Sequence, residues 1–391
     1  MEFVNRVNDT DLLYGSSQEN DIGRYIKYYG GTKVLINYAK GNEKVVGLID
    51  KVKRSLRSAG IDYVVYKSTC PKADIDDVYE GINLCNIENV DFILAIGGYS
   101  EYSCSKIIAT ALKFRGNYLN LFKKETEIEK ALPFGAICTS VAGGSVFLKQ
   151  ATVSHKQEDG QLVMYKLETE ATKPKFVIYS PDLCTYDNQN IKLSTVRIFC
   201  FLLYRYFSNQ KSHDLSDNLS LGALRTLVSQ VDKLEDDPHD IECIENILNV
   251  SFFANISFIY TQVNKATLLE LAQAVECVFD CSFEKALALM TSAYLEYNIK
   301  TQQDKFMKLA SHVFNVEYDF YEPAKTARQT LEKIRKFIKR LGCPINFKDI
   351  NADAKDIERV LNKLGFPAIK KLDTQEQLTQ TDCEVLLSLT I

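Results

Sequence analysis

Three short glycine-containing stretches carry the residue types that hold phosphate. Ile96-Gly97-Gly98-Tyr99-Ser100 ends an apolar run and opens a helical stretch that includes Lys106, Ile107 and Ile108. Glycines at such a turn let the backbone approach a pyrophosphate, and the free N–H groups at the helix start attract its charge. Ala142-Gly143-Gly144-Ser145 repeats the arrangement, with Thr139 and Ser140 as hydroxyl donors just before it. A third loop, Tyr38-Ala39-Lys40-Gly41-Asn42, ends another apolar run and has Lys44 two residues on. The same glycine pairs also suit plain tight turns, and one Gly-Gly pair alone does not choose between the two readings.

Metal and proton-transfer chemistry has little to draw on. The four histidines, His155, His213, His239 and His312, lie far apart and form no HxxxH pair. His213 and His239 sit in polar stretches that read as solvated loops, whereas His312 falls between Leu309 and Val313 in a helical pattern. Cys277 and Cys281 are four apart with Asp280 between them, a spacing at which two thiols on one helix can share a zinc. Two ligands are too few for a site, and a free cysteine commonly serves as a small buried hydrophobe. Lys106, Tyr99 and Tyr102 follow the first glycine pair and could polarise a substrate; the more ordinary reading is a helix-start lysine and two packing tyrosines.

The elements that must hold these loops follow from periodicity. Lys33 to Asn37, Tyr63 to Tyr66 and Phe92 to Ile96 read as buried strands. Between them, Val45, Leu48, Ile49, Val52 and Leu56 recur at helical spacing before Gly60, and Ile75 to Cys85 forms a second helical stretch. This βαβαβ order predicts a parallel sheet covered on both faces, with further strands at Gly135 to Thr139 and Phe176 to Tyr179. In a doubly wound sheet the three glycine loops share the carboxyl edge, where nucleotides bind. Beyond Pro181 the pattern becomes helical over Lys192 to Phe207, Leu268 to Val278, Leu287 to Tyr297, Phe306 to Phe314 and Ala327 to Leu341. Val250 to Tyr260 fits helix or strand, and Thr374 to Thr390 finds no place in the pattern. The expected architecture is an α/β nucleotide-binding domain over 1–180 and an all-α domain over 181–391, with a cleft between them as the default site.

Composition removes several classes of function. With 47 basic against 51 acidic residues and a net charge of −4, the chain has no basic excess for nucleic acid. No apolar run approaches the roughly 20 residues of a membrane span. Met1 leads into Glu2, Arg6 and Asp9, which is not a secretory pattern. Eleven cysteines with no CxxC pair then read as reduced thiols of a cytoplasmic protein.

Taken together, these stretches resemble the iron-containing alcohol dehydrogenases, specifically the butanol dehydrogenase-like branch within the dehydroquinate synthase-like fold. The resemblance starts at Tyr29-Gly30-Gly31-Thr32-Lys33-Val34-Leu35 and is clearest at Val90 to Gly98. It resumes at Pro174-Lys175-Phe176-Val177-Ile178, Ala286-Leu287-Ala288-Leu289 and Ala293-Tyr294-Leu295-Glu296-Tyr297, and is loose from about Ser208 to Gln262. The family's GGGSxxDxAK pattern reads Gly97-Gly98-Tyr99-Ser100-Glu101-Tyr102-Ser103-Cys104-Ser105-Lys106, so the third glycine and the aspartate are replaced. Its TGSE pattern reads Gly143-Gly144-Ser145-Val146, without the carboxylate. Asn42 stands at the serine placed near the adenine ribose phosphate.

The resemblance implies a homodimer joined by edge pairing of the N-terminal segment, and an NAD(P) cofactor contacted by Gly41, Asn42, Gly97, Gly98, Ser100, Thr139, Ser140 and Ser145. It also implies iron or zinc held by one aspartate and three histidines. Those positions correspond to Ile198 and Leu202, or Arg197 and Phe201 with one gap, together with Leu269 and Phe283. None of these side chains ligates a divalent metal. The expectation is therefore a degenerate member without iron or zinc and without metal-dependent alcohol–aldehyde chemistry. An aldehyde reductase that polarises its substrate with side chains, and a non-catalytic scaffold or partner subunit, are the alternatives.

Overall fold

The structure is a computed structural model that describes residues 3–7, 9–40, 45–69, 73–123, 126, 128–158, 162–184, 188–208, 214–255, 267–364 and 379–391. The chain divides into two compact units, Met1–Asp187 and Asn188–Ile391.

The first unit is built on a seven-stranded sheet. Its strands are β1 (Phe3–Val7), β2 (Thr10–Tyr14), β3 (Lys33–Ala39), β4 (Asp62–Ser68), β5 (Phe92–Gly97), β6 (Phe134–Cys138) and β9 (Phe176–Tyr179), in the spatial order β1-β2-β9-β6-β5-β3-β4. Only the β1–β2 pair is antiparallel. A separate antiparallel hairpin joins β7 (Gln150–Lys156) to β8 (Leu162–Glu168). The central strands are largely apolar because helices cover both faces of a parallel sheet. Residues alternate between those faces, so Val34, Ile36, Phe92 and Leu94 pack with Ile26 of α1 (Ile22–Tyr28) and with Val52 and Leu56 of α2 (Val46–Ser58).

Two further helices, α3 (Ile75–Glu88) and α4 (Tyr99–Ala111), pack closely on each other. A Cβ added at Gly81 of α3 would lie 2.4 Å from Cδ1 of Ile108 in α4, so glycine sets that approach. Asn37, fully buried on β3, donates to Ser105 Oγ at 3.0 Å and to the Glu101 carbonyl at 3.3 Å, which fixes α4 against the sheet.

Chain direction matters for the site. After β3 the chain moves outward to β4, then returns to the other side of β3 as β5. The strand order therefore reverses between β3 and β5, and the loops at the carboxyl ends of such a pair flank the crevice where α/β sheets bind ligands.

The second unit is helical: α5 (Asn188–Ser208), α6 (Asp214–Asp236), α7 (Ile241–Asn255), α8 (Thr267–Phe279), α9 (Phe283–Asn298), α10 (Gln303–His312), α11 (Pro323–Arg340), α12 (Asp356–Leu364) and α13 (Gln380–Ser388). Phe199, Leu203, Tyr206 and Phe207 make α5 the centre of its core. The segment from Val250 that suited helix or strand begins as the end of α7, and its remainder lies outside the described residues. The unplaced C-terminal stretch contains α13, started by a capping box in which Thr379 and Asp382 each accept from the other's backbone N–H. No described helix is long and apolar enough to cross a membrane.

Candidate functional site

The first glycine pair sits where β5 hands over to α4. Gly97 has φ +154°, a conformation that L side chains rarely adopt, and Gly98 is the N-cap of α4. The second loop lies beside it. The Thr139 N–H donates to the Gly97 carbonyl at 3.0 Å, and a Cβ built on Gly98 would lie 3.5 Å from Ser140 Cβ. Gly97, Gly98, Thr139 and Ser140 thus come together at the carboxyl edge of β5 and β6.

Ser140 shapes its own loop: its Oγ accepts from the Ala142 N–H at 3.3 Å and its carbonyl from Gly143 at 2.9 Å. Ser145 follows in a short 3-10 turn, Gly143–Phe147, and is only 4% exposed. Its buried hydroxyl has no hydrogen-bond partner among the described residues. A buried polar group is normally paired, so this hydroxyl has capacity left for a ligand. Ser100 is half-buried in the first turn of α4. Gly41, Asn42 and Lys44 lie outside the described residues.

Glu101 is the residue here that sequence reading passed over. It is 4% exposed, and its Oε2 accepts from the Gly98 N–H at 2.7 Å. Its side chain lies against Gly97, where an added Cβ would stand 2.4 to 2.6 Å from Oε2, Cδ and Cγ. The signal was available: a Glu three positions after a helix N-cap can reach back to the N-cap backbone N–H, which is half of a capping box and needs no side chain on Gly98.

The neighbouring polar groups are engaged in packing. Tyr102 Oη donates to the Gly97 carbonyl at 2.8 Å, and burial pushes its pKa well up. Tyr99 Oη accepts from Thr152 Oγ1 at 3.1 Å, and Ser103 Oγ accepts from the Thr152 N–H at 3.2 Å, so both are tied to β7. Lys106 is 2% exposed and donates to the carbonyls of Val146 and Leu148 at 2.7 and 2.5 Å. Burial lowers its pKa to about 7. The two carbonyls take two of its N–H donors.

The positions that the resemblance assigns to metal ligands belong to the second unit. Ile198 and Leu202 point into its core, fully buried. Arg197 and Phe201, one step back on α5, are half-buried instead. The Arg197 guanidinium carbon lies 5.2 Å over the ring of Phe283, and its Nη1 is 3.4 Å from Glu284 Oε1. Arg205 in turn stacks on Phe201 at 5.2 Å. Leu269 is half-buried on α8. These six positions hold one cation, two phenyl rings and three aliphatic chains, a donor set that fits neither iron nor zinc.

No alternative cluster stands out. Among the described residues, no group of three or more His, Cys, Asp and Glu side chains is arranged to hold a metal. His312 is the exposed last residue of α10, where its Nδ1 is 2.9 Å from the Lys308 carbonyl; His239 is exposed in a turn; and His155 lies against the Tyr165 ring on the β7–β8 hairpin. His213 lies outside the described residues.

Comparison with known proteins identifies the lineage. The family model "Iron-containing alcohol dehydrogenase" matches residues 9–181, and "Fe-containing alcohol dehydrogenase family, C-terminal" matches 194–389. The chain belongs to the iron-containing alcohol dehydrogenase family. It is 26% identical over 388 residues to a probable NADH-dependent butanol dehydrogenase 2 of Bacillus subtilis, covering 97% of this chain and 98% of that one. NADH-dependent butanol dehydrogenase B of Clostridium acetobutylicum is 26% identical over 355 residues, 89% of each chain. Among solved structures, NADH-dependent butanol dehydrogenase A of Thermotoga maritima superposes with a TM-score of 0.89 at 23% identity, covering 100% of this chain and 99% of that one. That structural likeness speaks to the fold: a parallel sheet with helices first, then a helical unit.

Proposed function

We propose that this chain is a metal-independent member of the iron-containing alcohol dehydrogenase family. In this reading it keeps a nucleotide site on the carboxyl edge of its first unit and has lost metal-dependent alcohol–aldehyde interconversion. The observation that carries the reading is Arg197. A guanidinium stacked on Phe283 brings a permanent positive charge to the face where a divalent cation would need carboxylate and imidazole ligands. Lewis-acid polarisation is typically worth several kcal/mol, and ~4 kcal/mol is already about a thousandfold in rate.

NAD(P) is the ligand this reading favours, because the relatives are named as NADH-dependent and the two glycine loops lie side by side. When bound it would supply hydride chemistry. Gly97, Gly98, Ser100, Thr139, Ser140 and Ser145 are the residues assigned to it, with Gly41 and Asn42 assigned from the resemblance. The unpartnered Ser145 hydroxyl supports that assignment. A reductase that uses Lys106 or Tyr102 in place of the metal is less favoured, since both are buried and hydrogen-bonded within the fold. The reading also includes a cytoplasmic homodimer joined through β1, which lies at the end of its sheet and offers an open edge to a second copy.

The test is NADH and NADPH titration by fluorescence, followed by short-chain aldehyde reduction with zinc, iron or chelator added. Saturable nucleotide binding with no metal-stimulated turnover is expected. Chelator-sensitive turnover would contradict the loss of metal chemistry, and absence of any nucleotide binding would favour the scaffold alternative.

A further inference from the structure

We infer that Glu101 is a built-in anion at the glycine turn, competing with the pyrophosphate of a nucleotide for the start of α4 and weakening dinucleotide binding. The inference rests on the nucleotide reading above and deepens it, by naming the residue that sets how well a phosphorylated ligand is held.

Three observations carry it. The carboxylate already takes the amide that a phosphate would use, since Glu101 Oε2 accepts from the Gly98 N–H at 2.7 Å. Its Cγ, Cδ and Oε2 fill the bare side of Gly97, the surface that a glycine turn otherwise leaves open to a ligand. And the carboxylate oxygen lies 4.0 Å from the place of a Gly98 Cβ, with Ser140 Cβ and Oγ at 3.5 and 3.9 Å from that same point, so it sits next to both glycine loops. At 4% exposure this is no solvated surface charge.

A pyrophosphate arriving at this turn meets a like charge across a few ångströms of low-dielectric space, where repulsion is strong. It gains the Gly98 amide only by breaking a charge-assisted hydrogen bond, among the strongest of the non-covalent contacts. A ligand without phosphate faces neither cost. The glycine at 97 is then explained by the chain's own side chain, which needs the space a Cβ would take.

Binding of NADH, ADP-ribose and adenosine to the whole chain, and to Glu101→Gln and Glu101→Ala, tests this by calorimetry. Glu101→Gln removes the charge while keeping the shape and an oxygen for the Gly98 N–H; Glu101→Ala empties the turn. The expected result is that NADH and ADP-ribose bind at least about tenfold tighter to both variants, with adenosine unchanged. Thermal melts accompany the titrations, and Glu101→Gln decides the matter if Glu101→Ala fails to fold. Wild-type binding of NADH that neither variant improves would overturn the role of Glu101 while leaving the nucleotide reading intact. No binding of NADH or ADP-ribose by any of the three proteins would overturn both.

Discussion

Arg197 and Phe283 give the account its sharpest consequence at the scale of single residues. If the half-buried face of α5 is the one that corresponds to the ligand face, four substitutions should rebuild a metal site there: Arg197→Asp, Phe201→His, Leu269→His and Phe283→His. The expected outcome is about one zinc per chain in the quadruple variant, read by elemental analysis of dialysed protein, because aspartate and histidines are ordinary zinc donors. A parallel set at Ile198 and Leu202 should take up no metal and should unfold, since both side chains are in the core. Metal uptake by the second set alone would show that the wrong face had been chosen. From the sequence, both registers stayed open because one gap shifts the correspondence by one residue; in the structure Ile198 and Leu202 are buried whereas Arg197 and Phe201 are half-buried. For Glu101 the spacing from the N-cap was a readable hint, and the fold-back over Gly97 is what the structure adds.

Elements with strong periodicity were legible, and those that depend on partners were not. β5 and β9 stand out as apolar runs and β3 as one broken by Asn37, because they are covered on both faces, and α9 and α11 by their helical spacing. The β7–β8 hairpin escaped notice because β8 is half-exposed along most of its length and its polar and apolar residues do not alternate cleanly. Gly135 shows how tightly the legible strands are packed. It pairs with Phe176 across β6 and β9, and a Cβ there would stand 2.4 Å from Cζ of that ring. Gly135→Ala should therefore cost about 1–3 kcal/mol in denaturant unfolding, the usual range for overpacking; a neutral effect would mean that the ring moves freely. On α8 and the turn after it, Cys277 and Cys281 are half-buried, while the other eight described cysteines are buried. Brief alkylation of native protein followed by peptide mass analysis should label these two first among the described ten. Equal labelling of Cys138 or Cys200 would contradict the packing of their units.

For the molecule as a whole, buried titratable groups set how stability varies with pH. Burial lowers Lys106 to about 7, so between about pH 7 and its ordinary value the unfolded chain holds a proton that the native chain lacks. Stability rises with pH across that window, by at most about 1.4 kcal/mol per unit for one group. Burial pushes Cys85, Cys138, Cys343 and Cys383 up to about 12. Above about pH 9 the unfolded chain releases these protons and the native chain does not, so stability falls as pH rises through that range. Thermal melts should show an optimum near pH 8–9, and Lys106→Met should remove the rise below it; a stability that climbs steadily past pH 10 would contradict the burial of the thiols. The change from an α/β to a helical pattern near Pro181 was readable in the sequence, and so were the non-ligating residues at the positions the resemblance assigns to the metal, whereas the stacking of Arg197 on Phe283 shows itself only once α5 and α9 are side by side. The proposed loss of the metal site is tested by the metal content of protein purified without chelator. The expected result is far less than one equivalent of iron or zinc per chain, unchanged after incubation with either metal and desalting; a stoichiometric, tightly held metal would contradict the proposed loss.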